Sequence, residues 1–279
     1  MKKYQLICAA LIVLAAALAF VFLQSYREEC AADAAQKMGF WIKRDQTRLG
    51  KPVVEARICC TPREDLSLTE MAALSQLRSL RIACCPNLDP DLKGLAYLKQ
   101  LRSLEIDSIK VTDAGLKELA GLTKLRTLRL QPGLTLSVTD AGLNELAALT
   151  ELRELELCTE MSDAGLKWLP ALKQLHTLDM YSPNVTDAGL KELAALKQLR
   201  VLNLVGVNVT DAGLKKLTAL TQLEALDLCH TNVTDAGLKE LAALKQLRKL
   251  DVAGTKVTQF GGVAELKKAL PKCEIVFFH

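Results

Sequence analysis

Asn184–Arg200 reads NVTDAGLKELAALKQLR, and the same seventeen residues stand again at Asn232–Arg248. The segment joins two kinds of periodicity. Within Thr234–Leu244 the apolar residues Leu238, Leu241, Ala242 and Leu244 fall at helical spacing, while Lys239, Glu240 and Lys245 lie off that stripe. Thr234 is placed to cap the helix, and Asp235 in the first turn complements the helix dipole. Gly237 lacks a side chain where the helix must lie close to a neighbour. The segment then runs into leucines two apart, as in Leu250-Asp251-Val252, which share one face of a strand.

Versions of this unit fill most of the chain. Copies of VTDAGL begin at Val111, Val138, Met161 (as MSDAGL), Val185, Val209 and Val233, and a degenerate VTQFGG begins at Val257. After intervals of 27 and 23 residues, the spacing is 24 throughout. Each copy follows an LxxLxL block, from Leu101-Leu104-Ile106 to Leu247-Leu250-Val252. Earlier members are Leu77-Leu80-Ile82 and a worn Val53-Ala56-Ile58, and a last partial strand is expected at Ile275–Phe277. One such unit cannot bury its leucines alone, but stacked units bury one another's.

The VTDAGLKELAALKQL wording resembles leucine-rich repeats, in particular the 24-residue ribonuclease-inhibitor-like unit common in bacterial, especially planctomycete, proteins. The resemblance covers residues 53–279. It implies an α/β solenoid with a parallel sheet on the concave face, helices on the convex face, and protein or ligand binding without catalysis. Strand and helix spacings independently require curvature, because strands stack at about 4.8 Å and helices at about 8–10 Å.

Residues that recur hold a solenoid together, so specificity is sought where the copies differ. On each strand the residue after the second leucine points away from the core: Arg57, Arg81, Glu105, Arg129, Glu156, Asp179, Asn203, Asp227 and Asp251. With Glu154 and Tyr181 from the flanking columns, these are the expected binding residues, and the column runs from mainly basic to mainly acidic. An Arg also recurs after the first leucine, as in Arg78, Arg102, Arg126, Arg153, Arg200 and Arg248, where ion pairing and coverage of apolar surface are expected. Trp168 stands where other copies carry an exposed Glu or Lys, so an exposed anchor for a partner is one expectation and neutral drift the other. The stretch after Leu130, QPGLTLS, holds three extra residues.

The first residues read differently. Lys2 and Lys3 precede an uncharged run, Tyr4–Tyr26, which as a helix would be about 35 Å long and span a bilayer. Residues 1–26 are therefore expected to form a transmembrane signal anchor, residues 27–52 a linker and N-terminal cap, and residues 53–279 the repeat domain. Such a chain is single-pass, with its repeats on the extracytoplasmic side. Capping is the expected role of Phe40 and Trp41.

Nine cysteines include Cys59-Cys60 and Cys84-Cys85 in adjacent units. Cys60 and Cys84 occupy equivalent strand positions, so a disulfide, buried thiols or a thiolate metal site are all open to them, although zinc spacing is absent. No metal or cofactor is expected. Three histidines, none placed for a Cys-His dyad, give no catalytic constellation, and a hydrolase using Cys158 or Cys229 is the weakest alternative. A net charge of +4 over 279 residues, without basic patches interleaved with aromatics, gives no case for nucleic acid. The expected function is thus a non-catalytic, membrane-anchored module that binds an unknown protein partner or surface ligand. The alternative is an envelope protein that self-associates through its solenoid ends.

Overall fold

The computed structural model describes residues 23–37, 39–48, 50–59, 68–84, 92–108, 110–131 and 138–277. The apolar run before residue 23, most of the QPGLTLS stretch, and Cys60 and Cys85 lie outside them. Among the described residues no helix is long and apolar enough to cross a membrane.

Among the described residues eleven strands form one sheet in strict chain order. β1 (Trp41–Arg44) is antiparallel to β2 (Val53–Cys59). All later neighbours are parallel: β3 (Ser79–Ala83), β4 (Ser103–Asp107), β5 (Thr127–Gln131), β6 (Glu154–Cys158), β7 (Thr177–Tyr181), β8 (Val201–Asn203), β9 (Ala225–Asp227), β10 (Lys249–Asp251) and β11 (Glu274–Val276). Parallel neighbours need a crossover, and one repeat unit supplies each. The second leucines of successive units pair directly, Leu80 with Leu104, Leu104 with Leu128, and so on to Leu226 with Leu250. All are buried. A one-residue slip would turn this column to solvent, so the register is strongly determined.

The return segments form short helices: α2 (Asp113–Leu119), α3 (Asp140–Leu143), α4 (Leu190–Leu193), α5 (Asp211–Leu217), α6 (Asp235–Glu240) and α7 (Ala264–Ala269), with 3-10 segments in the other units. A helix described over residues 23–37, here αN, precedes them.

A side-chain ladder couples the units at these helix starts. Thr112, Thr139, Thr210 and Thr234 cap their helices, each hydroxyl accepting from a backbone N–H two or three residues on. The aspartate that follows looks forward to the next unit. Asp113 accepts from Thr139 N at 2.8 Å and Thr139 Oγ1 at 2.7 Å. The pattern repeats from Asp140 to Ser162, Asp163 to Thr186, Asp187 to Thr210, Asp211 to Thr234 and Asp235 to Thr258. The glycine of the receiving unit makes room for the visiting carboxylate: a Cβ at Gly142, Gly165, Gly189, Gly213 or Gly237 would overlap the preceding unit's aspartate Oδ1. The aspartate thus does more than favour its own helix dipole; it fastens the following repeat.

The N-terminal end is shielded by αN and β1. Ala31, Ala32 and Ala35 of αN and the following Phe40 are buried in the core, whereas Trp41, of which capping was also expected, is 54% exposed. Gln24 Nε2 donates to Ser75 Oγ at 3.1 Å, Ser75 Oγ donates to Glu28 Oε1 at 3.2 Å, and Arg44 pairs with Glu29 at 2.9 Å. αN passes through residues 26 and 27 without a break, so the end of the apolar run and the cap share one helix.

The expectation of an exposed Trp168 is overturned: the indole is only 4% exposed. Its unit is one residue short and winds as two 3-10 turns, Asp163–Leu166 and Leu169–Ala171, around Pro170. Whereas the corresponding Glu145, itself in a 3-10 turn at Asn144–Ala148, stays exposed, the large apolar ring of Trp168 packs into the core. Its Nε1 is buried and without a hydrogen-bond partner among the described residues.

Two stability measurements test these assignments. Asp211→Ala strands the Thr234 N–H and should cost about 2 kcal/mol in urea unfolding, whereas Glu240→Ala on the exposed helix surface should change it by less than about 0.5 kcal/mol. Trp168→Ala should cost about 3 kcal/mol through cavity formation. Trp168→Phe, which also removes the unpartnered N–H, should retain most of the stability, and a surface Trp would show neither effect.

Candidate functional site

Side chains alternate along a strand, so half of each strand faces the leucine core and half faces solvent. Parallel register brings Arg57, Arg81, Glu105, Arg129, Glu156, Asp179, Asn203, Asp227 and Asp251 into one lateral column on the solvent face. Trp41 extends the column, paired across strands with Arg57, whose guanidinium carbon lies 5.4 Å from a Trp41 ring centre. β1 belongs to no repeat and runs antiparallel, so repeat periodicity gave no signal for a strand at Trp41. Glu154 stands beside the column at the start of β6. Tyr181 ends β7 and lies half exposed over Gly206, where a Cβ would come within 2.8 Å of the ring.

The two halves of this face differ in how their charges are matched. Arg57 Nε donates to Glu55 at 2.7 Å, and Arg81 lies 3.6 Å from Glu105. Arg129 sits among three carboxylates, 3.5 Å from Glu105, 3.6 Å from Glu154 and 3.5 Å from Glu156. Such exposed pairs add little stability, but they neutralise the basic half from within. Among the described residues no ion pair reaches Asp179, Asp227 or Asp251. The basic-to-acidic order read along the chain therefore becomes a neutralised half followed by an acidic one.

The last three residues of the column share a local role. Asn203 Oδ1 accepts from Val205 N at 2.9 Å, Asp227 Oδ1 from Cys229 N at 2.9 Å, and Asp251 Oδ1 from Ala253 N at 3.0 Å. Each closes a turn that ends a three-residue strand. Asp179 instead receives a hydrogen bond from Asn203. Burial pushes the Asp179 carboxyl above the usual aspartate range, the Glu156 and Asp227 carboxylates push it further, and Asn203 and Arg129 only partly offset them.

Asp227, Cys229 and Asp251 bring three potential ligand atoms within 4.8 Å of one another. Cys229 Sγ donates to Asp251 Oδ1 at 2.9 Å. Burial first, then the hydrogen bonds and charges of both aspartates, drive its thiol well above the ordinary range. Cys158 is also raised, by burial and then by Glu156 and Asp179. Metal ligation and nucleophilic attack both use thiolate, and these surroundings hold the proton on sulfur. Cys84 is exposed in a left-handed conformation, φ +53°. Its proposed disulfide partner, Cys60, lies outside the described residues.

Residues 219–242 match a family described as Leucine Rich repeat. An internalin (inlF) from Listeria monocytogenes is structurally similar, with a TM-score of 0.61 and 23% identity, over 77% of this chain and 58% of that one. Internalin C2 (inlC2) from the same organism gives a TM-score of 0.56 and 21% identity, over 76% of this chain and 84% of that one. The chain thus spans little more than half the length of the first of these. No curated protein matches the sequence. The fold is a leucine-rich repeat solenoid.

The crowding around Asp179 has a definite pH signature. A carboxyl whose folded pKa exceeds its unfolded value of about 3.9 favours folding most when protonated, and that contribution is lost as pH rises through the folded pKa. Asp179→Asn should therefore raise Tm at pH 7, with the advantage disappearing near pH 3. A gain of equal size at both pH values would show that Asp179 carries no electrostatic penalty.

Proposed function

We propose that this chain is a non-catalytic interaction module, anchored to a membrane through its N-terminal apolar run, that presents the concave face of its repeats to a protein or surface ligand outside the cytoplasm. One observation carries the binding part of this reading. The solvent face of an eleven-stranded sheet bears side chains that differ from strand to strand, on a scaffold whose core and coupling residues barely change. Structural redundancy elsewhere concentrates the distinguishing chemistry there. The Glu105, Arg129, Glu154, Glu156 and Asp179 region lies midway along that face. The regular 24-residue interval supports assigning the units to the ribonuclease-inhibitor-like type. The anchor rests on the length of the Tyr4–Tyr26 run, with αN carrying the chain from its end directly into the cap.

Proximity labelling from the repeats in the native membrane, followed by pull-down with variants, tests the proposal. Arg129→Glu should weaken capture of the true partner by about tenfold, because it places like charge at the centre of the face, while Glu118→Arg on a return helix should leave capture unchanged. End-to-end oligomers without a captured partner would favour the bracing role instead. Equal capture by both variants would remove the concave face as the binding surface.

A further inference from the structure

We infer that the β7–β10 stretch of the concave face is a docking groove for a basic polypeptide segment, with its Lys or Arg side chains seated against Asp179 and against the Asp227–Asp251 pair. The inference rests on the concave-face reading and specifies the chemistry of its partner.

The groove has a volume of about 190 Å3, and Val201 and Ala225 stand beside the acidic column within it. Strand spacing places Asp227 and Asp251 about 5 Å apart, and Asp179 and Asp227 about 10 Å apart with Asn203 between them. Lys249 is the single cation lining this groove, against three aspartates. That imbalance contrasts with the other half of the face, where Arg81 and Arg129 already lie against glutamates.

The negative charge is surplus to the fold. At the equivalent strand end Asn203 makes the same bond, Oδ1 accepting the N–H two residues on, that Asp227 and Asp251 make. The turn needs an acceptor and has no use for a charge. Burial and carboxylate repulsion at Asp179 point the same way, since an incoming cation would relieve them. A polypeptide side chain fits better than a compact ion. Val201 and Tyr181 are exposed hydrophobic surfaces at this stretch, against which the methylene stem of a Lys or Arg can lie while its head reaches the carboxylates.

The test uses the full chain and a fluorescent decapeptide of alternating Lys and Ser, with a Glu-Ser decapeptide as the opposite-charge probe, read by anisotropy at physiological salt. The Lys-Ser peptide should bind and the Glu-Ser peptide should not. Combining Asp227→Asn with Asp251→Asn should weaken binding by about tenfold, since both turns keep their acceptors and two buried-side charges are lost. Glu145→Gln with Glu240→Gln removes the same net charge from the return helices and should change binding less than about twofold. Equal losses in the two double variants would mean diffuse attraction and overturn the inference, as would no loss in the first or no binding at all. A native partner released by Arg129→Glu yet retained by the Asn pair would also overturn it, leaving the concave-face reading intact. Capture indifferent to both would overturn that reading itself.

Discussion

The forward-reaching aspartate is the interaction on which the rest of this structure depends. Its two oxygens take the backbone N–H and hydroxyl of the next unit's Thr or Ser, while that same hydroxyl caps the next helix. Four demands therefore fall on four residues: a hydroxyl that both donates and accepts, a carboxylate with two free oxygens, a small residue, and a glycine under the incoming carboxylate. TDAG meets all of them, which explains why it recurs with so little change. Hydrophobic burial of leucine supplies most of the driving force, but it is non-directional. The ladder supplies direction and distance.

Once neighbouring units are held in this way, the sheet register follows, and every solvent-facing residue of one strand has a defined neighbour on the next. Charges separated by 24 positions in the chain become adjacent in space. Glu105 thereby meets Arg81 on one side and Arg129 on the other, while Asp227 and Asp251 face each other in register. Electrostatic character is set by these lateral neighbours, and the same residue types have opposite surroundings at the two ends of the face.

The repeat architecture was legible because its signal is distributed. Nine leucine blocks and seven helix-start motifs reinforce one another, and even the worn Val53-Ala56-Ile58 copy is buried as its alignment implied. The outward direction of the column from Arg57 to Asp251 was legible for the same reason. Features depending on a single residue's surroundings were not. Trp168 looked exposed because the charged residues at its position in other units keep contact with water, but an apolar ring at that position turns into the core. β1 escaped notice since an antiparallel strand outside the repeat has no sibling. The neutralisation of Arg129 required lateral distances, which no single unit contains. Capping by Thr234 was foreseen, whereas the second role of each aspartate was not, because its partner lies one unit away.

The ladder also has a polarity. Each unit offers an acceptor forward and a donor backward, and the offer is the same at every joint from Asp113 to Thr258. At residue 259 glutamine replaces the aspartate, so the series stops making offers at the π turn, Gln259–Val263, that leads into the last helix, α7. Between those limits the joints are interchangeable. A whole frame could be copied or lost without leaving a mismatched joint, and even the three extra residues before Thr139 leave the Asp113 joint intact. The twin segments at Asn184 and Asn232 are what such interchangeability looks like in a sequence. Solenoid length is thus a property that duplication can alter in one step, carrying the exposed residues of each new strand along as raw material for a changed face.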